Sequence, residues 1–488
     1  MLWLYVLLQF PTSYKNIVKH FIIDILFIIY LINTLIASAM QILENPSLID
    51  QLLVFPPRSM PSLLVGFILH FICIYSTLLV KSPPSLAASP TSLTCLRLTL
   101  GLLAIGCFID FGWSNAYGPK PRRQTYIAMV SIASHCIMRV LETCFVVLWD
   151  GERPRWVLKP IATKPVGTAN TPKSLHDTKG KVGIVLLELP TTPKDRLIYC
   201  FDLITSYRGF SWFSDRVWTW APKSAVFSNP TRSHFLRENI QRLVLQYLAM
   251  DVLETYNNSQ NWDTFSSNPV TSLSFSKQIL GSFSVFFCTF ISLSIPYTLS
   301  CIFFVLIGSS PASWPPMFVS PLSTPSLAAF WTDRWQQNFR RSFVRLSQGI
   351  LYFLPPSFTL RHPRIIIVLR RVVVFSISAT LHLIFIAAVP QHPDKPQAAF
   401  LDPRVIRFFL SQPIGLVIEG LVLVPAAKRL LPASRAAYVP TVFAWIWLVG
   451  TGRWWSDVWI SREMFAKTEK IAVVSLIGGL GGGNWLVY

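Results

Sequence analysis

Charge is what this sequence has least of. Asp, Glu, Lys and Arg make up 14% of its 488 residues, against about 25% in an ordinary soluble domain. With 52% hydrophobic residues and a mean hydropathy of +0.47, that shortage excludes a disordered chain, a coiled coil and an ordinary cytosolic enzyme. None of the eight cysteines (Cys73, Cys95, Cys107, Cys136, Cys144, Cys200, Cys288 and Cys301) stands in a C-x-x-C pair, so zinc and thiol-redox sites lack their ligands. No GxxxxGK[ST] loop cradles a nucleotide phosphate, and no HExxH holds zinc. No GxSxG elbow presents a serine nucleophile. The histidines are scattered rather than boxed, which excludes a di-iron desaturase. The acids are dispersed, without the paired Asp that would hold a magnesium-diphosphate. No metal and no bound cofactor is expected. Internal repeats are also missing, including the duplicated halves common in secondary transporters.

Apolar runs are what the chain has in plenty. A bilayer core about 30 Å thick needs roughly 20 helical residues. Runs of that order occur at Ile17–Met40, Leu63–Val80, Ser92–Trp113, Tyr126–Trp149, Ile279–Ile307, Ile365–Val389, Val405–Ala426, Phe443–Ile460 and Ile471–Tyr488. The fold expected is an all-α polytopic membrane protein with seven to nine transmembrane helices. Met1–Phe10 lacks a charged leader and is closely followed by Ile17–Met40, which reads as a retained first span rather than a cleaved signal peptide. A surplus of 43 − 23 = +20 charges fits cytosolic loops facing anionic lipid, not nucleic acid. Many of the 17 Trp stand near expected span ends, as in an aromatic belt.

Three segments break the pattern. Asp150–Lys194 carries eight Lys and Arg against four acids, with Pro, Thr and Gly, and reads as a poorly ordered cytosolic loop. Asp195–Trp220 mixes aromatics with charges. Asn239–Tyr256 sets Ile240, Leu243, Val244, Tyr247, Leu248 and Val252 at helical spacing, as in a helix at the interface or packed on the bundle.

Two features carry chemistry. His382 lies inside Ile365–Val389 among Leu381, Leu383, Ile384 and Phe385. An ionisable side chain inside a span marks a functional site by default. An apolar wall favours the neutral imidazole, which is a competent general base. Ser378, four residues earlier on the same face, is placed to orient it. His70 and His135 are read as structural. The second feature is Phe330-Trp331-Thr332-Asp333-Arg334-Trp335-Gln336-Gln337-Asn338-Phe339-Arg340-Arg341. At helical spacing Trp331, Trp335 and Phe339 share one face. Arg334, Arg341 and Arg345 follow on another, and Arg340 lies nearer the aromatic stripe. That is an interfacial helix, and its arginines also suit a phosphate-bearing ligand arriving from the cytosol.

Together and in this order, these blocks resemble the membrane-bound O-acyltransferase (MBOAT) superfamily, in its fungal wax-synthase-like branch. That branch shows a block like F-W-G-R-R-W-H-Q-x-F-R, here Phe330 to Arg340, and S-G-x-x-H on an apolar helix, here Ser378-Ala379-Thr380-Leu381-His382. An earlier block like R-G-I-G-W reads Arg208-Gly209-Phe210-Ser211-Trp212. The departures are Thr332 and Asp333 for Gly and Arg, Gln336 for the usual His or Asn, and Ser211 and Ala379 for Gly.

The resemblance implies transmembrane and interfacial helices around a central tunnel. It divides the chain into N-terminal transmembrane helices (1–149), the basic loop (150–194) and an acyltransferase core (195–488). It implies acyl transfer from acyl-CoA, the co-substrate, to a hydroxyl of a lipophilic alcohol, in an endomembrane such as the endoplasmic reticulum. His382 would be the base and Gln336 an orienting partner, since an amide cannot take a proton. Gln336 or Asn338 could stabilise the thioester oxygen. Trp331, Arg334, Trp335, Asn338 and Arg340 would hold the acyl-CoA. The branch points to a short acyl group such as acetyl and a terpenoid or meroterpenoid acceptor. A long-chain wax ester synthase is the alternative within the class. Outside it stand a lipid-binding relative without activity, suggested by Gln336, and a transporter using Asp24, Asp110 and Glu419 as pathway residues.

Overall fold

The computed structural model describes residues 60–79, 91–113, 123–158, 186–206, 208–213, 216–221, 230–260, 270–319, 321–335, 337–389, 400–465, 475 and 477. Its helices, in chain order, are α1 (Met60–Leu78), α2 (Thr91–Trp113) and α3 (Arg123–Val140, prolonged by a π turn Leu141–Val146 and by Val147–Asp150). Then come α4 (Pro193–Thr205), α5 (Arg232–Ser259), α6 (Phe275–Leu306) and α7 (Arg340–Leu351). Last are α8 (Pro363–Ala388), α9 (Pro403–Ile418, prolonged by a π turn Glu419–Leu423 and by Val424–Leu430) and α10 (Val439–Ser461). A three-residue antiparallel pair, β1 (Trp156–Leu158) and β2 (Arg216–Trp218), is the only sheet among the described residues.

The chain is an all-α polytopic membrane protein. Six described helices are long and apolar enough to span a bilayer: α1, α2, α3, α6, α8 and α9. Each falls on an apolar run read from the sequence. The expected span at Ile17–Met40 lies outside the described residues, and Ile471–Tyr488 does so almost entirely. Phe443–Ile460 is helical as α10, but Arg453 and Asp457 dilute it and it is not among the six. Local chemistry sets the helix starts. Asp402 caps α9 by accepting from the Arg404 N–H at 2.9 Å, with Pro403 in the first turn. Thr192 and Pro193 do the same for α4.

α1 packs on α2 and α2 on α3, while α6, α8, α9 and α10 surround the main core. That core joins Val285, Leu327, Phe375, Phe409, Ala444 and Val458. α7 and α3 meet α8 and close one side. Charge fixes the α3–α7 contact. Glu142, on the first π turn, pairs with Arg139 at 2.8 Å and with Arg341 at 2.6 Å. Arg345 pairs with Asp150 at 2.7 Å and Glu152 at 2.8 Å.

One expectation changes here, and another is given its orientation. The Asp150–Lys194 loop is built at both ends. Glu152 holds Arg345, β1 pairs with β2, and the buried Trp156 indole donates to Asp202 at 2.7 Å. Its polar composition concealed these anchors, because their partners lie about 50 to 190 residues away. α5 is amphipathic but turned outward. Its buried side carries four polar residues (Asn239, Gln246, Asp251, Asn257) beside Phe235 and Met250, while Val244 and Leu245 are 53% and 66% exposed. The polar seam is satisfied against α6, where Ser284 donates to Asn257 at 2.6 Å and Thr298 to Gln246 at 3.2 Å. The apolar stripe is left for lipid.

Candidate active site

A cavity of about 400 Å³ opens between α6, α8, α9, α10 and the segment 328–344. His382, Ser378, Trp331, Trp335, Phe339 and Arg340 all line it. The two sequence features, some 45 residues apart, therefore share one chamber. Its walls are mostly apolar and rich in Phe and Trp, as expected of a site that excludes water from reacting groups.

His382 is held on three sides. Its ring stacks on Phe409 at a centroid distance of 4.5 Å and meets Trp455 edge-on at 5.0 Å and Phe385 at 5.4 Å. Nδ1 lies 2.7 Å from the Ser378 carbonyl oxygen. A carbonyl can only accept, so Nδ1 carries the hydrogen and Nε2 keeps its lone pair. Ser378 thus orients the ring as the sequence spacing predicted, but through its backbone rather than its hydroxyl.

The aromatic block is not one helix. A short helical turn, Leu327–Ala329, passes into a π turn, Phe330–Arg334, and the chain then breaks at Trp335, whose φ of −96° and ψ of 150° are extended. α7 begins five residues later. The break keeps Trp331, Trp335 and Phe339 on one wall by folding rather than by helical period. Buried carboxamide and carboxylate groups pin it. Glu419 accepts from the Leu327 N–H at 2.6 Å and the Ala328 N–H at 3.0 Å, which caps a helix start with negative charge. Gln412, fully buried on α9, accepts from the Trp331 indole at 3.2 Å and donates to Thr451 of α10 at 3.1 Å. Trp335 stacks between Phe286 and Phe330 at 4.9 and 5.6 Å. Gly415 is required nearby, since a Cβ there would stand 2.6 Å from the Trp447 ring.

Not every expected residue faces the chamber. Gln336 lies outside the described residues. Its neighbour Gln337 is buried and donates to the Thr332 and Trp335 carbonyls at 2.9 and 3.0 Å. Arg334 turns away to the Val319 carbonyl at 3.0 Å, and neither it nor Asn338 lines the cavity. The arginine face expected over Arg334–Arg345 is largely spent on structure, because Arg341 and Arg345 serve Glu142, Asp150 and Glu152. The cations on the wall are Arg340, Arg370 and Arg371. The last two were missed, although a charged pair inside the apolar run Ile365–Val389 was a visible signal. Eleven helical residues put Arg371 about 17 Å along α8 from His382. Phe409 and Trp455 were also missed, being indistinguishable in sequence from other span residues, and Gln412 was missed although a carboxamide inside an apolar run was a visible signal.

The Arg208–Trp212 block is structural. Arg208 donates to the Pro315 and Pro316 carbonyls at 2.8 and 2.7 Å and to the Tyr297 hydroxyl at 3.1 Å. Gly209 has a φ of +82°, with Ala221 backbone 2.8 Å from where a Cβ would sit, so only Gly fits. Asp202 accepts from the Trp212 N–H, the Trp156 indole and the Ser206 hydroxyl at 2.7 to 3.0 Å. Burial raises its carboxyl above the ordinary Asp value, and these donors pull it partly back. Of the acids of the transporter reading, the two described ones serve separate structural contacts. Asp24 lies outside the described residues, Asp110 accepts from Ser62 on the exposed side of α2, and Glu419 is the cap just described.

Comparison with known proteins agrees with this geometry. Residues 314–410 match the membrane bound O-acyl transferase family, a stretch that holds the aromatic block, both arginines of α8 and His382. The acetyltransferase aurG of Calcarisporium arbuscula is 27% identical over 294 residues, covering 56% of this chain and 67% of its own length. The O-mevalon transferase yanI of Aspergillus niger is 24% identical over 310 residues, 60% of this chain and 65% of its own. The acetyltransferase TRI7 of Fusarium sporotrichioides is 29% identical over 175 residues, 35% of this chain and 36% of its own. No solved structure matches the chain. The expected kinship with fungal membrane O-acyltransferases is borne out, as is the O-acyltransferase class of enzyme.

Proposed function

For a chain similar to fungal membrane-bound O-acyltransferases, we propose transfer of an acetyl group from acetyl-CoA to a hydroxyl of a lipophilic secondary metabolite, terpenoid or meroterpenoid in class, with His382 as general base. The names of the relatives support the acetyl donor, and the aromatic chamber supports a lipophilic acceptor. The endoplasmic reticulum is the membrane proposed. The observation that carries the reading is the convergence of His382 and the Trp331–Arg340 block on one cavity.

In this mechanism the acceptor hydroxyl donates to Nε2 of His382. As its oxygen attacks the thioester carbonyl, the proton passes to Nε2 and the C–S bond breaks. The proton then leaves with the CoA thiolate, giving ester and free thiol and restoring the neutral ring. The Ser378 carbonyl stabilises the transient imidazolium through Nδ1–H. Gln336 is proposed as the donor to the carbonyl oxygen that gains charge. Arg340, Arg370 and Arg371 supply cations for the phosphates of the donor, and Trp331 and Trp335 wall the acyl arm. The dry cavity holds both reactants together, which is the proximity contribution.

The test uses microsomes containing the protein, labelled acetyl-CoA and a panel of terpenoid alcohols. Ester formation is expected, and His382→Ala should reduce it by about 10²- to 10⁴-fold, the range for a lost general base. Full activity in His382→Ala refutes the assignment of the base.

A further inference from the structure

Six residues of α10 line the cavity: Trp445, Leu448, Val449, Gly452, Trp455 and Ser456. Their spacing of i, i+3, i+4, i+7, i+10 and i+11 is one continuous helical stripe. Gly452 is the gap in it. A Cβ built there meets nothing within 4 Å, so the space in front of it is open cavity and not a packed contact. Gly452 stands one turn from Trp455, which touches the His382 ring. A glycine within a helix is also unfavourable for the helix itself, and here neither a positive φ nor a close neighbour requires one. Gly450, two residues away, is equally unobstructed but does not line the cavity.

We infer that Gly452 sets the bulk of acceptor that the site admits: its missing side chain leaves room, one helical turn from the Trp455 that touches the base, for the rigid ring system of a polycyclic alcohol. The inference rests on the acyltransferase reading for its chemistry. The space is assigned to the acceptor because the cations on the wall at Arg370 and Arg371 lie three helical turns from His382 and suit the phosphate-bearing donor. The open volume in front of Gly452, in the same cavity as the base, is left for the body that carries the hydroxyl. A Cβ at 452 would project into this space without meeting any protein atom, so selectivity should change before the fold does.

The experiment compares the full-length protein with Gly452→Ala, Gly452→Leu and Gly450→Leu. Acetyl-CoA is held constant, and cyclohexanol, 1-adamantanol and ergosterol are offered as acceptors. In Gly452→Leu, kcat/KM for ergosterol relative to cyclohexanol should fall at least tenfold, the scale on which one or two carbons are discriminated in an apolar pocket. Gly452→Ala should give a smaller fall in the same direction, and Gly450→Leu should match the parent. Retained turnover of cyclohexanol shows that the variant is folded. A ratio unchanged within twofold in Gly452→Leu overturns the inference. So does a change confined to acyl-chain preference when longer acyl-CoA donors replace acetyl-CoA. A second arm reads binding without turnover: ergosterol should raise the melting temperature of the parent and of Gly450→Leu but not of Gly452→Leu. If no alcohol is acetylated, the acyltransferase reading fails by itself, and equal ergosterol stabilisation in all variants overturns the role of Gly452 separately.

Discussion

Replacing Glu419 with Gln should loosen the aromatic wall of the cavity without unfolding the bundle. Glu419 gives each carboxylate oxygen to one backbone N–H, Leu327 at 2.6 Å and Ala328 at 3.0 Å, at the start of the segment that carries Trp331 and Trp335. The residue is 4% exposed, so water cannot replace a lost partner. A hydrogen bond to a charged group contributes about 1.5–3 kcal/mol. Gln keeps one acceptor oxygen but points its NH2 at the second N–H, so one bond and the charge at the helix start are lost. The cost should be about 2–3 kcal/mol, confined to residues 327–335. At about 1.4 kcal/mol per factor of ten, that is roughly 30- to 140-fold faster amide exchange. Hydrogen–deuterium exchange mass spectrometry on the purified protein reads it directly. Peptides over 327–335 should accelerate, while those from α1 and α2, which do not touch Glu419, should not. Unchanged exchange at Leu327 and Ala328 refutes the capping role. Equal acceleration in α1 and α2 refutes its local character.

Two further outcomes follow from the proposed substrate contacts. Arg370→Ala combined with Arg371→Ala should raise KM for acetyl-CoA by about tenfold or more while KM for the alcohol stays within twofold, the signature of lost charge-assisted phosphate contacts; steady-state kinetics with each substrate varied in turn decides it. Gln336→Ala should lower turnover while Gln336→His is tolerated, and equal rates in all three proteins remove Gln336 from the site.

The spans were legible because a bilayer imposes a length on an apolar run, and each of the six helices falls on the run that announced it. His382 was legible for the complementary reason, since polarity is conspicuous in such a run. The course of the aromatic block was not. Its residues fit a helical period, but an extended Trp335 and a carboxylate 92 residues away decide its path. The fate of the arginines was equally hidden. Arg341 and Arg345 read as a cationic face until Glu142, Asp150 and Glu152 come alongside from α3 and the residues just after it, and sequence spacing carries no record of such distant pairings. For α5 the sequence left the interface and the bundle both open. A periodic apolar stripe reports that a face is apolar, and the solvent decides whether that face points in or out.

The turned helix α5 has a consequence for how the protein comes together. Water would not cover its apolar side, and lipid would not satisfy Asn239, Gln246, Asp251 and Asn257 on the other. Ser284, Cys288 and Thr298 on α6 supply partners to Gln246 and Asn257. Although α5 is synthesised first, its resting place is complete only once α6 has crossed the bilayer. The seat of α5 is therefore defined in part by a helix that follows it in the chain.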